Sequence, residues 1–122
     1  MLEIHPINDE KELQEYITAN ALPENAAVLC AYEGGATTGN VAVTVDGEGE
    51  HAVLTMHTFD YADAFTGELL VRAAVSYAFN RAVPKVTAPE TLRNSILDKV
   101  GFKTEGQNIS IDTKNVVHFC QK

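Results

Sequence analysis

The stretch 65–82 constrains this chain more than any other, because it is apolar almost all the way round a helix. Phe65, Leu69, Leu70, Val71, Ala73, Ala74, Val75, Tyr77, Ala78 and Phe79 leave Glu68, Arg72, Ser76 and Asn80 as a single narrow polar stripe, one residue in every four. A helix so patterned is buried over most of its circumference and must lie on a sheet. Within the stripe, Glu68 and Arg72 are placed to pair across one turn. Pro84 stops the helix, and 85–88 reads as a short strand. It returns parallel to the strand at 52–59, as a strand-helix-strand crossover requires.

The rest of the chain supplies antiparallel partners for that unit. Residues 2–7 read as a first strand ended by Pro6, followed by a helix to about Ala19. Asn8 is the expected N-cap, and Leu13, Tyr16 and Ile17 form the apolar face of a packing helix. At 26–33 the run AAVLCAYE is apolar nearly throughout, as in a strand covered on both sides. EGGATTGN reads as a loop or wide hairpin before the alternation Val41, Val43, Val45, and Asp46-Gly47 heads a second turn into 52–59, so three strands make a meander. A last helix is expected over 91–100 with Gly101 at its C-cap, then strands at 102–111 and 115–121 joined by a turn at 112–115.

One domain over 1–122 accommodates all of this, since domains commonly run to about 100–150 residues. Nine basic and seventeen acidic side chains give a net charge of -8. That balance repels phosphate backbones and anionic lipid, so nucleic acid and membrane are not expected partners, and an amine-bearing one is favoured. No apolar run approaches the roughly 18 residues of a membrane span and the start lacks a leader pattern, so the cytoplasm is the expected location. Cys30 and Cys120 fit reduced core thiols better than a disulfide scaffold. His5, His51, His57 and His118 are too scattered for a metal site.

The order strand, helix, three-stranded meander, long helix, parallel strand, helix, Gly-Phe and final hairpin resembles the GNAT family, the GCN5-related N-acetyltransferases. FTGELLVRAAVSYAF, VPKVTA and LRNSILDKVGFKTEG carry the resemblance, the last through the helix ending Lys99-Val100-Gly101-Phe102. It implies an α+β fold in α/β/α layers, with a mixed, mainly antiparallel sheet of about six to seven strands and three to four helices. It further implies acetyl-CoA as cofactor, held at Thr58, Phe59, Asp60, Ala64, Thr66, Gly67 and Asn94. The cofactor's pyrophosphate would rest on amides at the N-terminus of the long helix. The family's phosphate signature falls on 61–66, where its basic residue and both glycines are missing and Asp60 and Asp63 carry like charge. The family's frequent acidic tyrosine falls near Leu97.

Amine acetylation needs a base and an acid. His57, on the same strand face as Val53 and Thr55, is the candidate base, with Glu33 sharing the role; Ser95 or Tyr61 are candidate acids. Gly34 and Gly35 with Thr37 and Thr38 read as a hairpin rather than an anion cradle. Two functions follow: an acyl-CoA-dependent N-acyltransferase acting on a small amine, which the resemblance ranks first, or a GNAT-like binding or dimerisation module without cofactor, which the altered phosphate loop favours.

Overall fold

The computed structural model describes residues 2–114. Among the described residues seven strands form one sheet: β1 (Leu2–Pro6), β2 (Ala27–Glu33), β3 (Ala36–Asp46), β4 (Val53–Tyr61), β5 (Lys85–Pro89), β6 (Lys103–Glu105) and β7 (Asn108–Asp112). Their spatial order is β1-β2-β3-β4-β5-β7-β6, with every pair antiparallel except β4 and β5. Three helices complete it: α1 (Glu10–Ala19), α2 (Ala64–Asn80) and α3 (Ser95–Val100). Alternation along the strands sorts the helices onto two faces. Val28, Cys30 and Ala42 face Leu13 and Tyr16 of α1. Leu29, Ala31, Val41 and Val43 face Leu70, Val71, Ala74 and Val75 of α2. The layers are α/β/α, and β2 is covered on both sides as its apolar run predicts.

The main core lies between the sheet and α2, where Leu70, Val71, Ala74, Val75 and Ala78 are wholly buried. Phe65 and Phe79 depart from the all-round burial expected of this helix: they are 69% and 44% exposed, on its outer face. The polar stripe pairs as expected, Arg72 Nε donating to Glu68 Oε2 at 3.3 Å. Lys99 of α3 reaches the same carboxylate at 2.8 Å, tying α3 to α2, and the two cations hold the Glu68 carboxyl below the ordinary range.

Several boundaries differ from the sequence expectation, each for a local reason. Asp9 rather than Asn8 caps α1, its carboxylate accepting from Glu12 N at 3.0 Å. The β2–β3 connection is a tight turn, not a wide loop, because Gly34 (φ 62°) and Gly35 (φ 84°) take the left-handed conformation a two-residue hairpin needs. The expected helix over 91–100 starts only at Ser95, preceded by a 3-10 turn at Glu90–Leu92, because the Asn94 side chain takes the Leu97 amide at 2.9 Å. The expected single strand over 102–111 is broken into the β6–β7 hairpin, with Gly106 at φ 64° in its turn. The expected strand at 115–121, with His118 and Cys120, lies outside the described residues. Cys30 is a buried free thiol, its pKa pushed up mainly by that burial.

Candidate functional site

The parallel pairing of β4 with β5 covers three residues a side, Val53–Lys85, Leu54–Val86 and Thr55–Thr87, after which the strands part. β4 runs on to Tyr61 and β5 to Pro89, so the sheet forks there. At the same level β4 is bulged: Val43 pairs with Met56 and Ala42 with Thr58, leaving His57 as the extra residue. The bulge flips the alternation. Leu54 and Met56 before it, and Phe59 and Tyr61 after it, all lie on the α2 side of the sheet.

His57 is therefore directed to the α1 face, where its Nε2 hydrogen-bonds Thr44 Oγ1 at 2.8 Å. Thr44 is 97% buried, so the imidazole is anchored to a fixed partner rather than waving from a strand end. Glu33 is not brought to it. It sits at the β2–β3 turn, opposite Ala36, while His57 lies at the level of Ala42 and Val43. At about 3.3 Å per residue that separates the two by roughly 20 Å. Ser95 is exposed at the first position of α3, and Leu97 is fully buried in the core.

Beside His57, on the α1 face, lies a polar cluster that sequence reasoning missed. The Tyr16 hydroxyl of α1 donates to Asn40 Oδ1 in a short hydrogen bond. Asn40 pairs with Asp60 across β3 and β4, and Thr58 precedes Asp60 on the same face. Burial pushes the Tyr16 phenol above its ordinary range; the Thr58 hydroxyl beside it works the other way, and the Asp60 charge adds to the rise. Thr58 Oγ1 is buried and, among the described residues, has no hydrogen-bond partner in good geometry. Tyr16 read as one apolar position of a packing helix; its polar end could be foreseen only from the register that puts Asn40 beneath it. The parity slip from Leu54 and Met56 to Phe59 and Tyr61 is the one signal of the bulge in the sequence.

On the α2 face, the start of the long helix is already occupied by the chain itself. Asp63 is the N-cap, and its Oδ1 accepts from Thr66 N at 2.8 Å. The Thr66 amide, then the Thr66 hydroxyl and the Phe65 amide, hold the Asp63 carboxyl below the usual carboxylate range. Those amides are the donors an anion at this helix end would need. Tyr61 closes the space above. A Cβ on Gly67 would fall 2.9 Å from Tyr61 Cγ and 2.7 Å from Ile96 Cδ1, so ring and helix are in direct contact. Phe59 packs against Tyr61 with ring centroids 4.8 Å apart and planes tilted by 42°. Asn94 Nδ2 donates to the Tyr61 hydroxyl at 3.1 Å while its Oδ1 caps α3, so both ends of that amide are engaged. Ala64 is exposed, Thr66 is buried, and Asp60 is on the other face of the sheet.

The structure thus gathers Tyr61, Asp63, Thr66, Gly67 and Asn94 at one helix start, and Tyr16, Asn40, His57, Thr58 and Asp60 on the opposite face. The first set does not fit a pyrophosphate. A carboxylate already takes the Thr66 amide, no Arg or Lys is among its residues, and the ring of Tyr61 lies on the glycine that would allow close approach. Among the described residues no group of three or more His, Cys, Asp or Glu could hold a metal ion, and no helix is long and apolar enough to cross a membrane.

Comparison with known proteins places the architecture. No protein-family model matches the sequence, and neither does any curated protein. Solved structures do match. A probable acetyltransferase from Staphylococcus epidermidis superposes with a TM-score of 0.69 at 10% identity, over 93% of this chain and 99% of that one. A GNAT family acetyltransferase from Elizabethkingia anophelis with acetyl-CoA bound gives 0.62 at 13%, over 91% and 97%. The AtaT toxin, as a mutant bound to the C-terminus of the antitoxin AtaR, gives 0.67 at 13%, over 100% and 99%. At such identities the likeness is one of fold. With its forked β4 and β5, its α2 crossover and its closing hairpin, the chain has the fold of the GCN5-related N-acetyltransferases, in a divergent form.

Proposed function

We propose that this chain is a GNAT-fold binding module that has given up the acyl-CoA pyrophosphate site. The observation that carries the reading is the Asp63 cap: from within the chain the carboxylate takes the Thr66 amide at the helix start and sets a negative charge there. A second negative group brought there from a ligand meets repulsion instead of a dipole. The partner chemistry that suits a net charge of -8 is cationic, a small amine or a basic peptide, or else a second copy of the chain through an apolar surface. The AtaT structure, bound to the C-terminus of its antitoxin, is an instance of this fold holding a peptide.

Thermal melting with and without acetyl-CoA tests the reading. A site of about 10 µM affinity would add about 2.7 kcal/mol at 1 mM ligand, several degrees of melting temperature for a domain of this size. The expected shift is under about 1 °C, and a saturable rise of several degrees would overturn the module reading. Light scattering over a wide range of concentration separates a homodimer from a module for other partners.

A second reading, acetyl transfer from acetyl-CoA to a small amine, is favoured by one observation. His57 sits at the bulge of the forked strand with its Nε2 fixed by Thr44. There the imidazole would take the proton of a substrate ammonium, and the Tyr16 phenol is a proton donor on the same face of the sheet, whereas Ser95 belongs to α3 on the α2 side. Glu33 stays in this reading as a remote acidic group at the hairpin turn. Steady-state assays with an amine panel decide it: His57→Ala should lower kcat at least tenfold with KM for the amine little changed, and unchanged kcat removes His57 from the chemistry.

A further inference from the structure

The end of α2 away from the fork opens onto a groove of about 470 Å3. Val43, Val45, Ala52, Tyr77 and Val83 line it with apolar surface, and Asn25, Glu48 and Arg81 add polar groups. None of these residues belongs to the fork or to the capped helix start. The volume lies within the roughly 300–1,000 Å3 of small-molecule sites, which are mostly apolar with a few placed polar groups.

Two of those polar groups carry opposite charge and are not spent on each other. The Arg81 guanidinium stacks over the Tyr77 ring at 3.4 Å, and its Nη1 donates to Tyr77 O at 3.3 Å. This holds the planar fork in place with most of its five N–H donors uncommitted. Among the described residues neither Arg81 nor Glu48 is in an ion pair. The wall at 47–49 turns through Gly47 (φ 83°) and Gly49 (φ 58°), where a Cβ on Gly47 would meet His51 O at 2.7 Å, and Ala82 (φ 58°) is the left-handed residue that ends α2.

From the juxtaposition of one fixed guanidinium, one carboxylate and an apolar floor we infer that the groove is a binding site for a small apolar α-amino acid in its zwitterionic form. Arg81 pairs with the ligand carboxylate in the bidentate manner guanidinium favours. Glu48 takes the ammonium. The branched side chain rests on the apolar lining at Val45, with Val43 and Val83 buried beneath it. A polyphosphate ligand is disfavoured here, since one cation beside a carboxylate cannot balance several negative charges.

An NMR titration of amide shifts in the full chain tests this with L-leucine, N-acetyl-L-leucine, L-leucinamide and glycine as probes. L-leucine should give saturable shifts centred on Ala27, Val45, Ala52 and Val83. The two derivatives, each lacking one charge, and glycine, lacking the side chain, should each bind at least tenfold more weakly. Arg81→Gln should weaken leucine at least tenfold and bring leucine and leucinamide to the same affinity. Glu48→Gln, on an exposed loop, should do the same for leucine and N-acetyl-leucine. The inference is overturned if leucine at roughly 20 mM gives no saturable shifts, if the shifts centre elsewhere, or if the charge-deleted derivatives bind wild type as well as leucine does.

Discussion

At its N-terminal end α2 directs its amides to its own chain: Asp63 accepts from Thr66, and Tyr61 and Ile96 press on Gly67. At its C-terminal end the same helix finishes on Arg81, whose guanidinium lies over Tyr77 beside a groove with a carboxylate near its mouth. Both ends are capped by their own chain, the second by Arg81 N and Val83 N on Ala78 O and Ala82 N on Phe79 O, but only the second borders an open groove with charged side chains at it. The apolar circumference between them is common to both.

The largest expected effect comes from forcing the closed end apart. Gly67→Val places carbon inside the contacts with Tyr61 and Ile96 and should cost about 2–3 kcal/mol by overpacking, read from urea denaturation. A loss below about 0.5 kcal/mol would mean that the Tyr61 ring slides aside easily and that the end is not closed. Next is Asn94→Ala, which removes the cap of α3 and the donor to Tyr61 together; about 1–2 kcal/mol is expected from the same measurement.

Asp63→Asn sharpens the comparison by keeping a cap while removing its charge. Asp63 has a lowered folded-state pKa, so its contribution to stability is present above the unfolded value near pH 4 and is lost as pH falls through the folded value. The melting temperature of wild type should therefore exceed that of the variant by a few degrees near neutrality, with the gap closing below about pH 4. The same change should raise affinity for inorganic pyrophosphate by about fivefold, a like charge having gone. A gap constant across that pH range would remove the charge from the account.

The smallest effect on stability belongs to Arg81→Gln at the open end. An exposed cation–π contact is worth about 0.5–1 kcal/mol, so melting should shift by no more than a few degrees while leucine binding falls at least tenfold. The reverse pattern, a large loss of stability with binding intact, would make Arg81 a structural residue.

Much of the architecture was legible in the residues. The apolar circumference of 65–79 required a covering sheet, Asp46-Gly47 marked a turn, and the order of elements carried the fold. The site was less legible, because its residues meet across the register of different strands. Asn40, Thr58 and Tyr16 come from three elements and gather only because β4 carries one extra residue at His57. Glu33 and His57 read as neighbours at strand ends, yet pairing put them at different levels of the sheet.

What the sequence determined by itself was the periodic part: which segments are helix or strand, and which sides of them are apolar, since burial of such sides depends only on local spacing. What only the tertiary structure decided was whether the start of α2 stands open. Tyr61, Asp63, Gly67, Ile96 and Asn94 are spread over 36 positions from first to last. The Asp63 cap on Thr66 is local, but Ile96 and Asn94 reach Gly67 and Tyr61 only because the folded chain brings α3 against the start of α2.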